Sequence, residues 1–285
     1  MSYVELLRAR NIFRIFGSVL TAIVVFAVAS ILFGTHFGTS VHHHVVTNTN
    51  GHAFHINQEG SSALEVSGGS DDSLMRVPLE YLFGIAAYAA IIFATILGPS
   101  LNKENDGYGY AFTKPVSRER LALEYFGVDL AAIVAVFAYT LGLLLLAIWC
   151  LGFFFKGQVT FDAGAALGIS ASGLGAAFMW YGLLQALTSW NHARGGLVIG
   201  LSWVYVTVLA PIATALDFGP GFHAVALAMN YINPLAYYAS ITEKGHEAVV
   251  ESLLGFSTGA DIALTWSIGI VACAVAAYGW KRLEV

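Results

Sequence analysis

Charged residues are scarce in this chain of 285 residues. They make up 11% of it, whereas hydrophobic residues make up 57% and the mean hydropathy is +0.70. A soluble globular domain carries about 25% charged residues, so the composition excludes one of this length. The formal net charge of -5 argues against a nucleic-acid partner. The sequence therefore predicts a protein whose main solvent is lipid.

Cysteine is almost absent as well. Cys150 and Cys273 both lie within long apolar runs, and neither has the neighbours of a reactive thiol. A disulfide framework is therefore not expected, and we predict that both side chains pack as small hydrophobes.

The signatures of an internal energy source are also missing. No Gly-Lys dipeptide occurs, so the phosphate-binding loop G-x-x-x-x-G-K-[ST] is absent. The apolar runs lack the paired charged residues and histidines that ion-coupled carriers use as relays. Asp129 comes nearest, and its position favours a solvated carboxylate at a helix end over a relay. No internal repeat supports an inverted-repeat transporter. A transporter built from this chain would need free energy from a partner.

Six apolar runs are each long enough to cross a hydrocarbon core, which needs about 20 residues per helix. Lipid offers no partner to free backbone groups, so each run is predicted to be a helix. We therefore predict an all-α integral membrane protein, with one transmembrane domain over residues 1–285. The runs cover residues 15–33, 77–97, 131–155, 163–188, 197–215 and 262–280.

The lysines and arginines between the runs predict the orientation. With both termini in the cytoplasm, ten of the 13 lie inside and only Arg76, Lys156 and Lys244 lie outside. We expect a multi-pass protein of the inner or plasma membrane. The first run is too long for a signal peptide core and is predicted to be an uncleaved span. Ahead of it, Leu6 and Arg8 fall on different sides of a predicted short helix on the membrane surface.

Three connecting segments have distinct compositions. An external loop, 34–76, is polar, and an internal loop, 100–124, carries mixed charge. The external segment 216–260 contains a semi-apolar stretch broken by Asn233-Pro234. We predict that this stretch forms one or two short helices that dip into the outer leaflet.

Histidines cluster in the first external loop. Imidazoles in a polar segment can bind copper, nickel or zinc. The spacing matches no closed site, however, and a solvated polar loop is the favoured interpretation. The weak candidate ligands are His42, His43, His44, His52 and His55.

The internal loop has the features of a short rigid element. Ser117 can cap a helix that begins at Arg118, and Pro115 restricts the backbone before it. The sequence predicts a short cytoplasmic helix here.

This loop resembles that of the type-2 ATP-binding-cassette (ABC) export permeases. Their first cytoplasmic loop carries an acidic residue, then a glycine, then a segment similar to residues 113–118, Thr-Lys-Pro-Val-Ser-Arg. Residues 231–237, Tyr-Ile-Asn-Pro-Leu-Ala-Tyr, and the basic Lys281-Arg282 are also similar to that family. Two departures are the Gly-Tyr-Gly-Tyr at 107–110 and the length of the first external loop.

The resemblance implies a permease dimer, formed with a second copy or a homologous permease, above two ABC ATPase subunits. ATP and magnesium would bind the ATPase, and this chain would bind no cofactor. The chain would not be an enzyme but would export a hydrophobic or amphipathic substrate. Two alternatives remain: a regulatory or metal-handling assembly protein with the same fold, and a membrane-integral enzyme. The residues implied in coupling to the ATPase are Glu104, Lys114, Pro115, Val116, Ser117 and Arg118.

Small residues recur every four positions in the fourth run, at Gly164, Gly168, Ser172 and Ala176. Such a stripe permits close helix packing, and we expect it to pack within the chain rather than between two copies. Gln185, near the inner end of the same run, is predicted to make a helix–helix hydrogen bond or lie at the interface rather than line a path.

Overall fold

The computed structural model describes seven segments of the chain, which are 2–37, 77–101, 118–152, 159–191, 195–215, 220–237 and 258–281. Almost all of the described residues are helical. The helices are α1 (Ser2–Phe37), α2 (Glu80–Leu97) with a 3-10 turn (Gly98–Leu101), α3 (Arg118–Gly152), α4 (Ala163–Asn191), α5 (Gly195–Val204), a π-helical turn (Tyr205–Leu209), α6 (Ala210–Ala215), α7 (Pro220–Tyr231) and α8 (Thr258–Lys281). Two two-residue strands, β1 (Val77–Pro78) and β2 (Val159–Thr160), pair in parallel just before α2 and α4.

Each of the six predicted runs overlaps a helix, although Val77 and Pro78 at the start of the second run form β1. Within the described segments, four helical stretches are long and apolar enough to cross a membrane: Leu6–Leu32, Ala122–Gly152, Ala163–Ser189 and Gly259–Gly279. Two other apolar stretches, Tyr81–Leu97 and Leu197–Ala213, are shorter. The described segments are thus almost entirely helical and compatible with a multi-pass membrane protein, while six spans and their orientation remain predictions.

Two predicted short helices are parts of longer ones. The surface helix expected ahead of the first span is wrong, because α1 runs unbroken from Ser2 to Phe37 and buries Ala9 in the bundle. The helix expected to begin at Arg118 is likewise continuous with the third run as far as Gly152. Near the start of each helix a small side chain is buried in the bundle, Ala9 in α1 and Ala122 in α3.

Helix α4 lies at the centre of the bundle, against α2 and α8. Asp162 caps its first turn, because the Asp162 Oδ1 accepts the N–H groups of Gly164 and Ala165 at 2.9 and 3.1 Å. Glycines then allow close contact: the backbone of Gly182 faces Gly269 of α8. From Gly175 to Gly182 the facing residue on α8 advances from Thr265 to Gly269, and from Gly173 to Leu184 the facing residue at α2 advances from Ala87 to Gly98. Helices α2, α4 and α8 therefore run parallel.

The predicted stripe of small residues is half right. Ser172 and Ala176 are fully buried within the chain, as expected. Gly164 is exposed at the start of α4, and a β-carbon at Gly168 would meet no described neighbour within 4 Å. The closest approaches instead occur at glycines outside the four-residue repeat, Gly173, Gly175 and Gly182, because α4 contacts two helices rather than one.

The fifth run is interrupted where Pro211 follows the π-helical turn. Proline has no N–H and clashes with the carbonyl four residues earlier. The helix widens here, and the N–H of Ala210 bonds to the carbonyl of Tyr205, five residues back.

The Asn233-Pro234 break produces two short helical pieces, as predicted. Helix α7 ends at Tyr231, and helix resumes over residues 234–237, with the Asn233 Oδ1 accepting the Leu235 N–H at 3.0 Å. Pro234 lines a small cavity together with Thr95 of α2 and Trp180 of α4. Trp180 lies beyond the midpoint of α4, and Thr95 lies two residues before the end of α2. In the predicted orientation, the turn between the two pieces thus lies past the middle of the bundle, deeper than the outer leaflet that was predicted.

Candidate functional site

A buried ion pair connects α1 to α3. The Arg8 Nη2 lies 2.7 Å from the Asp129 Oδ1, and the two side chains are 15% and 0% exposed. A hydrogen bond between two ionised groups is about twice as strong as one between neutral groups. The pair therefore fixes α1 and α3 to each other at this level.

The second carboxylate oxygen of Asp129 is bound by α4. The Tyr181 hydroxyl donates to the Asp129 Oδ2 at 2.8 Å, and the Gln185 Nε2 donates to the Tyr181 oxygen at 3.2 Å. Tyr181 and Gln185 are one helical turn apart, and both are fully buried. Asp129 is consequently the point where α1, α3 and α4 are joined.

Aromatic rings surround this network. The Arg8 Cζ lies 6.0 Å from the centre of the Tyr125 ring, within the range of a cation–π interaction. The Phe126 ring meets the Tyr181 ring edge to face, with centroids 6.2 Å apart. The rings exclude water, and electrostatic attraction is stronger where water is excluded.

The network lies toward one end of the bundle. Arg8 precedes the apolar run of α1, Asp129 lies two residues before the apolar run 131–155, and Tyr181 lies ten residues before the end of α4 at Asn191. In the predicted orientation this is the cytoplasmic end. At a rise of 1.5 Å per residue, Asp129 is about 16 Å along α3 from Arg118, where the described helix begins.

These contacts overturn the interpretation of Asp129 as a solvated carboxylate. It is fully buried and ion-paired, because the start of α1 covers it instead of lying on the membrane surface. The prediction for Gln185 was wrong about its partner, since Gln185 bonds to Tyr181 of its own helix and Tyr181 makes the connection between helices. The sequence did contain a signal for this contact. Arg8 and Asp129 carry opposite charges beside apolar runs, and a charge left unpaired in lipid is costly.

The remaining predicted site residues are only partly within the described structure. Arg118 is the first residue of α3, whereas Glu104 and residues 114–117 lie outside the described segments. The same holds for the histidines of the first external loop. Within the described segments, no three His, Cys, Asp or Glu side chains are grouped to hold a metal ion.

The two cysteines, Cys150 and Cys273, are free and partly buried.

Comparison with known proteins found no matching family model, no matching curated protein and no matching solved structure. The resemblance of the internal loop to that of type-2 ABC permeases thus remains a prediction from the motif.

Proposed function

We propose that this chain is the permease subunit of an ATP-driven ABC exporter that moves a hydrophobic or amphipathic substrate out of the cytoplasm or the inner leaflet. A separate ATPase supplies the free energy, and two permease copies, or one copy and a homologue, form the transmembrane unit. The membrane-like helices and the internal loop motif support this proposal.

The observation that carries the proposal is the attachment of one rigid helix to two others. Helix α3 continues unbroken from Arg118 at the proposed coupling loop to Gly152. It is joined at Asp129 to α1 through Arg8 and to α4 through Tyr181. A displacement of its cytoplasmic end would therefore move three helices as one body, which is the kind of rigid-body motion that ATP-driven closure of an ATPase dimer requires.

The first experiment tests the coupling loop. The double variant Lys114→Glu with Arg118→Glu reverses two charges at the proposed ATPase contact, and we expect it to insert normally but to lose ATPase association or transport. Arg120→Gln is the matched control, because Arg120 is exposed and its 3.2 Å ion pair is with Glu124 of the same helix. Transport by the double variant at the wild-type rate would refute the coupling role.

The second experiment separates the proposed exporter from the two alternatives. Co-purification with the ATPase from a neighbouring reading frame is expected, together with ATPase activity that increases with substrate. An assembly protein would bind the ATPase without any stimulation by substrate. A membrane-integral enzyme would convert its substrate with no ATPase present.

A further inference from the structure

A groove of about 560 Å³ lies between α1 and α3, outside the ion-pair network. We infer that this groove binds one acyl chain of a phospholipid whose anionic headgroup pairs with Arg14. The inference concerns a lipid site and does not depend on transport. The lining residues are Phe13, Arg14, Gly17, Ser18, Thr21, Ala22, Val25 and Tyr139.

The length of the groove fits one leaflet of a bilayer. Its lining on α1 extends from Phe13 to Val25, a rise of about 18 Å at 1.5 Å per residue. Half of a hydrocarbon core is about 15 Å thick. Because Arg14 directly precedes the predicted run 15–33, its guanidinium would lie where the hydrocarbon core begins.

Within the described segments, the positive charge at this end of the groove is not compensated by a carboxylate. Arg8, six residues earlier on α1, is neutralised by Asp129. Arg14 is exposed, no acidic residue is among the groove's lining residues, and no described carboxylate forms an ion pair with it. An exposed arginine at the boundary between two membrane helices is a suitable partner for an anionic lipid headgroup.

The hydroxyl groups further along the groove are satisfied internally. The Ser18 Oγ donates to the Arg14 carbonyl and the Thr21 Oγ1 to the Gly17 carbonyl, both at 2.7 Å. The Tyr139 hydroxyl lies 2.7 Å from the Thr21 Oγ1. These bonds leave few free donors beyond Arg14, so this part of the groove favours a hydrocarbon chain over a polar ligand.

Gly17 provides the space for that chain. A β-carbon at Gly17 would lie 3.5 Å from the Tyr139 ring, which is ordinary contact distance. An alanine would therefore be tolerated, whereas a leucine would extend into the groove. The structure thus offers separate variants for the headgroup contact and for the acyl-chain space.

The experiment uses the full-length protein purified in detergent and titrated with phosphatidylglycerol or phosphatidylcholine, with bound lipid counted by native mass spectrometry. We expect saturable binding of phosphatidylglycerol in preference to phosphatidylcholine. Arg14→Gln should weaken it about fivefold, since one arginine near an anionic surface contributes about 1 kcal/mol. Gly17→Leu should abolish it with the charge unchanged.

Arg10→Gln is the charge-matched control. Arg10 is exposed on the same helix but is not among the groove's lining residues, so its loss should leave binding unchanged. A thermal unfolding scan of each variant identifies any that is misfolded. If Gly17→Leu is misfolded, Gly17→Val replaces it as the test of acyl-chain space, and Gly17→Ala, which should bind lipid normally, is its control.

Three results would overturn the inference. Equal binding of both lipids would show that charge does not select the ligand. An equal loss in Arg10→Gln and Arg14→Gln would assign binding to general surface charge. Dissociation of a dimer in Gly17→Leu, without a change in lipid binding, would show that a second copy of the chain occupies the groove.

Discussion

Gly173 of α4 faces Ala87 of α2 so closely that a β-carbon at Gly173 would lie 2.2 Å from the Ala87 Cβ. Real β-carbons do not approach each other to this distance, so the two helices can pack here only because one residue is glycine. Ala87 is fully buried. The contact between α2 and α4 therefore depends on this position.

We predict that Gly173→Ala destabilises the protein by about 1 to 3 kcal/mol, because overpacking a tight contact forces backbone shifts. Gly168→Ala is the matched control on the same helix, where an added β-carbon meets no described neighbour within 4 Å. It should be neutral or slightly stabilising, since alanine favours helix. Thermal unfolding in detergent measures both, and equal melting temperatures would show that α2 and α4 do not approach this closely.

The ion pair between Arg8 and Asp129 leads to a second prediction. Arg8→Met leaves the Asp129 carboxylate buried without its cation, and removing one partner of a buried pair costs about 3 to 5 kcal/mol. The double variant Arg8→Met with Asp129→Asn should recover most of that loss, because the amide oxygen still accepts the Tyr181 hydroxyl and no charge remains. Chemical or thermal unfolding in detergent gives the comparison.

Arg120→Gln serves as the control for this pair. The Arg120 and Glu124 side chains are 75% and 35% exposed, and an exposed pair at this spacing contributes about 0.3 to 0.5 kcal/mol. A loss in Arg8→Met as small as in this control would mean that Asp129 is solvated after all.

The Tyr181 hydroxyl is the subject of a third prediction. Tyr181→Phe removes the donor to Asp129 and the acceptor of the Gln185 amide. A buried polar group left without its partner costs about 1 to 3 kcal/mol, and we expect a loss of stability in this range.

Tyr139→Phe is the parallel change at the exposed hydrogen bond to Thr21. We expect it to lower the melting temperature less than Tyr181→Phe does. If both variants lost the same stability, the Tyr181 hydroxyl would have no special role in joining the helices.

A fourth prediction concerns the first external loop. Deletion of residues 41–55 removes His42, His43, His44, His52 and His55, and we expect assembly with the partner ATPase to be unaffected. Size-exclusion chromatography of the co-expressed complex measures this. Loss of the complex would assign the loop a structural role, and loss of zinc or copper binding in the same variant would identify the histidines as ligands.

Helix positions were largely predictable, because a long apolar run in lipid can form all of its backbone hydrogen bonds only as a helix. All six runs overlap helices in the described structure, and the break at Asn233-Pro234 occurs where proline chemistry requires it. The ends of α1 and α3 were not predictable in this way. Both helices begin before the predicted apolar run, and Ala9 and Ala122, near the two starts, are buried within the bundle.

The sequence by itself determined that the long apolar runs form helices and that the loop G-x-x-x-x-G-K-[ST] is absent. Which side chains meet was decided only by the tertiary structure. Arg8, Asp129 and Tyr181 are far apart in the chain, and hydropathy cannot distinguish a charge that faces water from one that a distant helix covers. Close packing between glycine and alanine likewise depends on the relative rotation of two helices, which residue spacing along one helix does not specify.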